Sequence, residues 1–168
     1  MNIFEVCIDG DLDRVKELSL EESFDIEAKD NGGWTALIYA SRYGHLEAVK
    51  YLVENHADIE AKCNAGWTAL MYASRYGHIE ILKWLVNHNA DINAKSNYGR
   101  TALMYTIPCG HLEIVKYLVE HGADIELKDA DGNTAPMWAS RYNHLEVVKY
   151  LEMATVNRKS AMKFKAAR

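Results

Sequence analysis

Residues 68–85 read TALMYASRYGHIEILKWL, and near-copies of this stretch occur three more times in the chain. The copies are TALIYASRYGHLEAVKYL at 35–52, TALMYTIPCGHLEIVKYL at 101–118 and TAPMWASRYNHLEVVKYL at 134–151, so each begins 33 residues after the one before it. A constant period of this length indicates one supersecondary unit stacked into an array. Each unit then buries its apolar face against its neighbours, and function is expected on the surface of the stack.

Each copy has the pattern of two short helices joined by a tight turn. In the copy that begins at Thr35, the threonine is placed to cap a helix over 36–43, and Gly44 ends that helix. A second helix starts near His45, with an inward apolar stripe at 46, 49, 52 and 53. Glycines at the same place in successive units allow the chain to reverse before the next threonine: Gly33, Gly66, Gly99 and Gly132.

The repeated block resembles the ankyrin repeat, whose usual period is also about 33 residues. The resemblance rests on the threonine and first helix, the Gly-His-Leu-Glu link, the second helix and the Ala-Asp-Ile segment, and it covers the chain from about Ile3 to Leu151. It implies an all-α repeat solenoid, an ankyrin-repeat stack of helix-turn-helix units with hairpin-like finger loops. Apolar residues replace the family's usual histidine, and we expect larger apolar contacts there: Ile38, Met71, Met104 and Met137.

The period divides residues 1–151 into five units. These are an N-terminal capping repeat at 1–29, full repeats at 30–62, 63–95 and 96–128, and a partial repeat at 129–151. Residues 152–168 follow with a basic composition, and two interpretations stay open for them, a capping helix or a disordered tail. In the fourth unit, Pro108 removes a helical donor and predicts a distorted turn, whereas Pro136 falls in a first helical turn and is tolerated.

Charge and composition narrow the function classes. The chain of 168 residues has a net charge of −5, but residues 152–168 carry five basic residues and one acidic one, so the rest of the chain is at −9. This acidic body argues against general nucleic-acid binding. The absence of an apolar run near 20 residues and of a signal-like start predicts an intracellular protein, cytoplasmic or nuclear, and the odd number of cysteines predicts reduced thiols. The constant repeat phase predicts a monomer.

No pattern predicts catalysis, a cofactor or a metal. Histidines at the start of the second helices are about 8–10 Å apart if neighbouring helices pack normally, too far to share one ion, so we expect structural roles for His45, His78, His111 and His144. Aspartates that recur in a turn context are expected to bond the local backbone: Asp58, Asp91 and Asp124. Since no phosphate loop or nucleophile motif is present, we predict that the protein is not an enzyme.

The resemblance implies a binding face made of finger tips and the exposed ends of first helices. Trp, Tyr and Arg, which dominate the energetics of protein interfaces, are frequent there. We expect the finger tryptophans to project outside the core, and the arginines to orient an acidic or carbonyl-rich partner. The predicted partner-binding residues are Asn31, Trp34, Arg42, Tyr43, Asn64, Trp67, Arg75, Tyr76, Tyr98, Arg100, Arg141 and Tyr142.

These residues predict a non-catalytic protein–protein interaction module. Two alternatives stay open: a structural spacer within a larger assembly, or contact of residues 152–168 with nucleic acid or an anionic membrane. The Arg-Tyr pairs are also compatible with simple duplication, or with packing of Tyr on the next finger. We expect core packing for the aromatics inside the first helices, Tyr39, Tyr72, Tyr105 and Trp138, with partners for their polar atoms. The resemblance also implies that Asn93, in Asp-Ile-Asn-Ala, is a candidate for asparaginyl hydroxylation.

Overall fold

The structure is a computed structural model that describes the backbone of residues 2–166 and the side chains of residues 2–157. Within these residues the chain forms ten α-helices and one short 3₁₀ helix, and no strand. The α-helices are α1 (Ile3–Asp9), α2 (Leu12–Ser19), α3 (Ala36–Tyr43), α4 (Leu46–Glu54), α5 (Ala69–Tyr76), α6 (Ile79–Asn87), α7 (Ala102–Thr106), α8 (Leu112–Glu120), α9 (Ala135–Arg141) and α10 (Leu145–Ala166). The all-α repeat architecture predicted from the sequence is therefore confirmed.

The helices form two layers. First helices of successive units lie side by side in the order α1, α3, α5, α7 and α9, and second helices follow the same order in the other layer. The core runs continuously between the layers, where Leu37, Leu70 and Leu103 of the first helices and Leu52 and Leu85 of the second helices are buried. Since each unit packs on its neighbours, the apolar stripe of each helix is covered by adjacent units.

The predicted ends of the first helices are observed. The Thr35 and Thr68 hydroxyls accept hydrogen bonds from the backbone N–H groups of Ile38 and Met71, as N-caps do. Gly44 then ends α3 with a φ of 87°, in the left-handed region where glycine is favoured. These local signals set the helix lengths before any packing is considered.

Each second-helix histidine links its unit to the preceding one. The His78 ring nitrogen Nε2 lies 2.9 Å from the Arg42 carbonyl oxygen, and its ring covers Gly44, where a Cβ atom would come within 2.7 Å of it. We call this contact the histidine latch. The same contact is made by His45, His111 and His144, which confirms their structural role. In the last unit, the place of the latch glycine is taken by Asn143, whose φ is 57°.

The fingers are joined to one another by backbone hydrogen bonds. The Asn64 N–H donates to the Gly32 carbonyl at 2.9 Å, and the Ala130 N–H donates to the Tyr98 carbonyl at 2.9 Å. Beneath the fingers, carboxylates accept bonds from the backbone two residues further on, which confirms the turn role of Asp58, Asp91 and Asp124. The hydroxylation candidate Asn93 accepts a bond from the Asp124 N–H at 2.8 Å, so its side chain ties two units together.

Two irregularities have the predicted effect and one expectation is partly wrong. α7 ends at Thr106 and continues as a 3₁₀ helix, Ile107–Cys109, which confirms the distorted turn at Pro108, and Pro136 lies in the first turn of α9. The apolar residues expected to replace the family's histidine are buried in three units, but Met137 is 55% exposed. Among the described residues, no further first helix packs on α9, so the residue at this place stays in contact with solvent.

The backbone of residues 152–166 continues α10. The basic residues of this segment lie outside the described side chains: Arg158, Lys159, Lys163, Lys165 and Arg168. In the part of the chain that the structure describes, no helix is both long and apolar enough to cross a membrane.

Candidate functional site

A row of aromatic rings in tilted contact runs from the first unit to the fourth. Trp34 lies between Tyr39 of its own unit and Tyr72 of the next, with ring centroids 5.0 and 4.6 Å apart. Trp67 repeats this arrangement with Tyr72 at 4.8 Å and Tyr105 at 3.7 Å. We call this row the aromatic ladder: Phe4, Tyr39, Trp34, Tyr72, Trp67 and Tyr105. It packs the fingers that carry Trp34 and Trp67 against two neighbouring first helices each.

The polar atoms of the helix aromatics have partners nine residues earlier in the chain. The Tyr39 hydroxyl donates to an Asp30 carboxylate oxygen at 2.7 Å, and the Trp138 indole N–H donates to Asp129 at 2.9 Å. Tyr72 and Tyr105 pair in the same way with Cys63 and Ser96. The expectation that these four aromatics pack within or between units, with satisfied polar atoms, is confirmed.

Burial and the Asp30 contact both act on the ionisation of Tyr39. Burial is the larger cause and the hydrogen bond to Asp30 the second, and together they raise the pKa of Tyr39 to about 12. For Asp30 itself, burial raises the pKa, but bonds from the Trp34 and Gly32 N–H groups and from Tyr39 outweigh it, so the pKa lies below its usual value. The aspartate is therefore a charged anchor of the first finger and not a proton donor.

Arginine side chains cover the outer side of the ladder. The Arg42 guanidinium lies 5.1 Å from the ring centroids of both Trp34 and Tyr76, and Arg75 lies 5.8 Å from that of Trp67. Arg100 stands where the earlier fingers have tryptophan, and its guanidinium lies 4.4 Å from the Trp138 ring. Guanidinium groups over aromatic faces gain cation–π attraction, so these arginines have defined positions.

These groups meet in one open pocket of about 410 Å³. Its lining residues come from the second to the fourth unit and include six of the predicted partner-binding residues: Arg42, Trp67, Arg75, Tyr76, Tyr98 and Arg100. Tyr43 adjoins the pocket because it too lies near the Arg42 guanidinium, at 5.5 Å. We call the pocket with Trp34 and Tyr43 the Arg-aromatic surface.

The structure corrects the expectation that the finger tryptophans project outside the core. Trp34 and Trp67 are only partly exposed, because each is enclosed by two tyrosine rings and an arginine. The more accessible rings are Tyr43 and Tyr76, each 43% exposed, and Tyr98, 59% exposed. The predicted anchors therefore fall into two groups. Residues such as Trp67 pack within the ladder, whereas residues such as Tyr76 are exposed at its edge.

Four predicted residues lie apart from the pocket. The Asn64 side-chain amide donates to the Asn31 carbonyl at 3.0 Å, so both residues belong to the links between fingers. Asn97, which the sequence reasoning missed, makes the same bond to Asn64, and its spacing of 33 residues is the signal that could have found it. At the far end of the array, Tyr142 stacks on Trp138, and Arg141 is exposed.

Other reactive groups do not assemble into a chemical centre. Among the described residues, no group of three His, Cys, Asp or Glu side chains is placed to hold a metal ion. All three cysteines are free thiols, and burial raises the pKa of Cys7 to about 12. Cys109 is exposed at the end of the 3₁₀ helix, whereas Cys63 contacts the Tyr72 hydroxyl within the ladder.

Comparison with known proteins supports the repeat assignment. A family model described as ankyrin repeats (3 copies) matches residues 3–96 and again 94–160. A human protein named ankyrin repeat domain-containing protein 39 is 42% identical over 55 residues. That alignment covers 33% of this chain and 30% of the human protein, so the chain spans less than a third of this relative.

Proposed function

The chain belongs to the ankyrin-repeat family, and from this premise we propose that it recognises a partner protein through the Arg-aromatic surface. Ankyrin repeats are generally protein-interaction modules and are typically non-catalytic. The observation that carries the proposal is the pocket itself, which gathers tyrosine, tryptophan and arginine from three successive units. These three residue types contribute most often to the binding energy of protein interfaces.

The surface is also rigid before binding. The Arg42 guanidinium is held between two rings, and the finger behind it is bonded to the next finger through the Asn64 N–H. Because the side chains are already ordered, a partner binds with a smaller loss of conformational entropy than it would on a mobile loop. Rigidity of this kind supports recognition and requires no chemical step.

The three free cysteines favour a reducing compartment, so we place the protein in the cytoplasm or the nucleus. We also propose that it acts as a monomer, and that residues 152–166 cap the stack as the continuation of α10. An end unit needs such a cover because it presents to water a face that internal units bury.

The test is a double substitution on the rim, Tyr43→Ala with Tyr76→Ala. Both rings are 43% exposed, so their removal leaves the core intact, and the circular dichroism spectrum should keep its helical form. Truncation of interface anchors typically costs about 2 kcal/mol or more each. Partners that co-purify with the wild-type chain and are identified by mass spectrometry should therefore be lost from the variant.

The matched control is Glu80→Ala with Lys83→Ala on α6. These two side chains form a 2.9 Å salt bridge on the opposite layer and line no part of the pocket. The control should recover the same partners as the wild type. Equal recovery with the tyrosine variant would reject binding through this surface and leave the spacer interpretation.

A further inference from the structure

Two arginines of the Arg-aromatic surface have their charges and donors unused within the protein. Among the residues with described side chains, no carboxylate lies within 4.0 Å of Arg42 or Arg75, and neither guanidinium donates a hydrogen bond to another described residue. Each guanidinium lies over an aromatic ring, and its N–H groups have no hydrogen-bond acceptor among the described residues. Each guanidinium has five such donors, arranged to fit a planar carboxylate.

Arg100, the third arginine of the pocket, is different because its charge is partly compensated. Its Nε atom lies 3.7 Å from a carboxylate oxygen of Asp129, a buried residue that already accepts bonds from the Trp138 indole and the Asn133 N–H. Among the residues that line the pocket, no aspartate or glutamate is present. A chain whose first 151 residues carry a charge of −9 therefore presents two uncompensated cations side by side. Such a pair is complementary to an anionic ligand.

The general spacing of packed helices such as those that carry Arg42 and Arg75 favours some anionic ligands over others. Arg42 and Arg75 occupy the same place in α3 and α5, and neighbouring packed helices lie about 8–10 Å apart. In a polyproline II segment, side chains three residues apart point to the same side and are about 9 Å apart. In a β-strand the residues on one side are about 7 or 13 Å apart, which fits the pair less well.

The row of arginines ends after these two. Pro108 occupies the equivalent place in the fourth unit, and the next arginine in the series, Arg141, lies two units from Arg75. The surface therefore offers two neighbouring carboxylate sites and not a continuous basic groove. A long polyanion such as a nucleic acid would gain little from only two contacts.

We propose that Arg42 and Arg75 each bind one carboxylate of an extended partner segment in polyproline II conformation that carries acidic residues at positions i and i+3. This inference rests on the proposed function and specifies the chemistry of the partner. Cation–π contact with the aromatic rings holds each guanidinium in place, and bidentate hydrogen bonds to each carboxylate supply both charge pairing and orientation.

The test uses three labelled peptides and the full chain. The first is fluorescein-Gly-Pro-Glu-Pro-Pro-Glu-Pro-Gly, the second has Gln in place of both Glu, and the third has the two Glu adjacent. Fluorescence anisotropy should give a dissociation constant about tenfold lower for the first peptide than for either of the others. In ¹⁵N spectra, the Nε–H signals of Arg42 and Arg75 should shift on addition of the first peptide.

Two variants separate this specific site from general charge attraction. Arg42→Gln with Arg75→Gln should remove the preference for the acidic peptide, whereas Lys50→Gln with Lys83→Gln, which loses the same charge on α4 and α6, should keep it. Arg42→Lys with Arg75→Lys keeps the charge but not the planar fork, and should bind the first peptide several-fold more weakly. Circular dichroism establishes that each variant is folded.

Several results would overturn the inference. One is that the Gln peptide binds as tightly as the acidic peptide. Another is that Lys50→Gln with Lys83→Gln loses the preference for the acidic peptide as fully as the arginine variant does. The others are no binding at about 1 mM peptide, or much tighter binding of a phosphoserine peptide or of single-stranded DNA. If acidic peptides fail to bind while Tyr43→Ala with Tyr76→Ala still abolishes partner recovery, only the carboxylate assignment is wrong. If that tyrosine variant recovers its partners, the proposed function fails as well.

Discussion

The third unit (63–95) and the fourth (96–128) align residue for residue, yet they present different surfaces. Their buried positions match, with Leu70 and Leu85 in one unit and Leu103 and Leu118 in the other. On the fingers and first-helix ends they differ, because Arg100 replaces a tryptophan and Pro108 replaces an arginine. The comparison shows that the buried residues are kept from one unit to the next, whereas residues on the fingers and first-helix ends are not. The surface residues can change from one unit to the next without loss of register.

The largest expected effect lies in the ladder. Trp67→Ala should lower the free energy of unfolding by about 3 kcal/mol, at the low end for a buried tryptophan because Trp67 is only partly buried between Tyr72 and Tyr105. Arg100→Ala, at the same place in the next finger, should cost about 1 kcal/mol through loss of the cation–π contact with Trp138. Urea denaturation measures both. Equal costs would show that the two fingers are held by the same strength of contact.

A second difference is in the residue that bonds the helix aromatic. The third and fourth units use a thiol, Cys63, and a hydroxyl, Ser96, whereas the following unit uses the carboxylate of Asp129. Burial raises the pKa of Asp129. Hydrogen bonds from the Asn133 N–H, the Trp138 indole, the Asn133 amide and the Asp131 N–H lower it by more than burial raises it, so the pKa lies below its usual value. A depressed pKa in the folded state stabilises the fold above the unfolded-state pKa of about 3.9, and this contribution is lost as the pH falls through the folded-state pKa.

Asp129→Asn should therefore lower the free energy of unfolding by about 2 kcal/mol at pH 7, because the carboxylate is charged there and hydrogen bonds to charged groups are the stronger ones. The difference in urea midpoint between wild type and variant should shrink as the pH falls below about 4. Ser96→Ala serves as the control, since its effect on the midpoint should be independent of pH over the same interval. A pH-independent cost for Asp129→Asn would mean that the carboxylate charge does not stabilise the last finger.

The proline of the fourth unit should show itself in local stability. Amide exchange at 105–110 should be about tenfold faster than at 72–77, because the 3₁₀ segment replaces the last turn of the α-helix there. Pro108→Arg with Cys109→Tyr restores the Arg-Tyr pair of the third unit and should slow exchange in 105–110 to the rate of the third unit. Hydrogen–deuterium exchange with mass spectrometry measures both segments together. Equal protection in the unmodified chain would show that the stack absorbs the proline without local opening.

The smallest expected effect is in the turn after the second helix. Asn89 in the third unit has a φ of 67°, and Gly122 stands at the same place in the fourth unit with a φ of 100°. Asn89→Gly should stabilise the fold by up to about 1 kcal/mol by relief of backbone strain, and Gly122→Ala should cost about 1–2 kcal/mol. No atom lies within 4 Å of the place of the new Cβ at Gly122, so that cost is due to the backbone alone. The urea midpoint should rise for Asn89→Gly and fall for Gly122→Ala, and shifts of the same sign would contradict the prediction.

The fold was predictable because its signals are local. The threonine and glycine that bound α3 at Ala36–Tyr43 lie directly beside the helix, so its bounds were predicted residue for residue from the sequence. The burial of Trp34 was not predicted, since it depends on Tyr72 of the next unit, which is far away in sequence. The same is true of the Arg42 contact with Tyr76. Exposure at a repeat surface is decided by the neighbouring unit, and a period alone does not give the direction of a side chain.

The histidine latch gives the array a direction of growth. An internal unit such as 63–95 carries both halves of the contact, the ring of His78 that faces backwards and the hollow above Gly77 that receives the ring of His111. A duplicate of this unit inserted in the middle of the chain would bring its own histidine ring and its own glycine, and could make the contact with both neighbours. The unit at 129–151 has the histidine ring but no glycine to receive another ring, because Asn143 has a side chain at that place. An added unit could therefore form the histidine latch on both sides between existing units, but an added unit placed after 129–151 could not latch onto it.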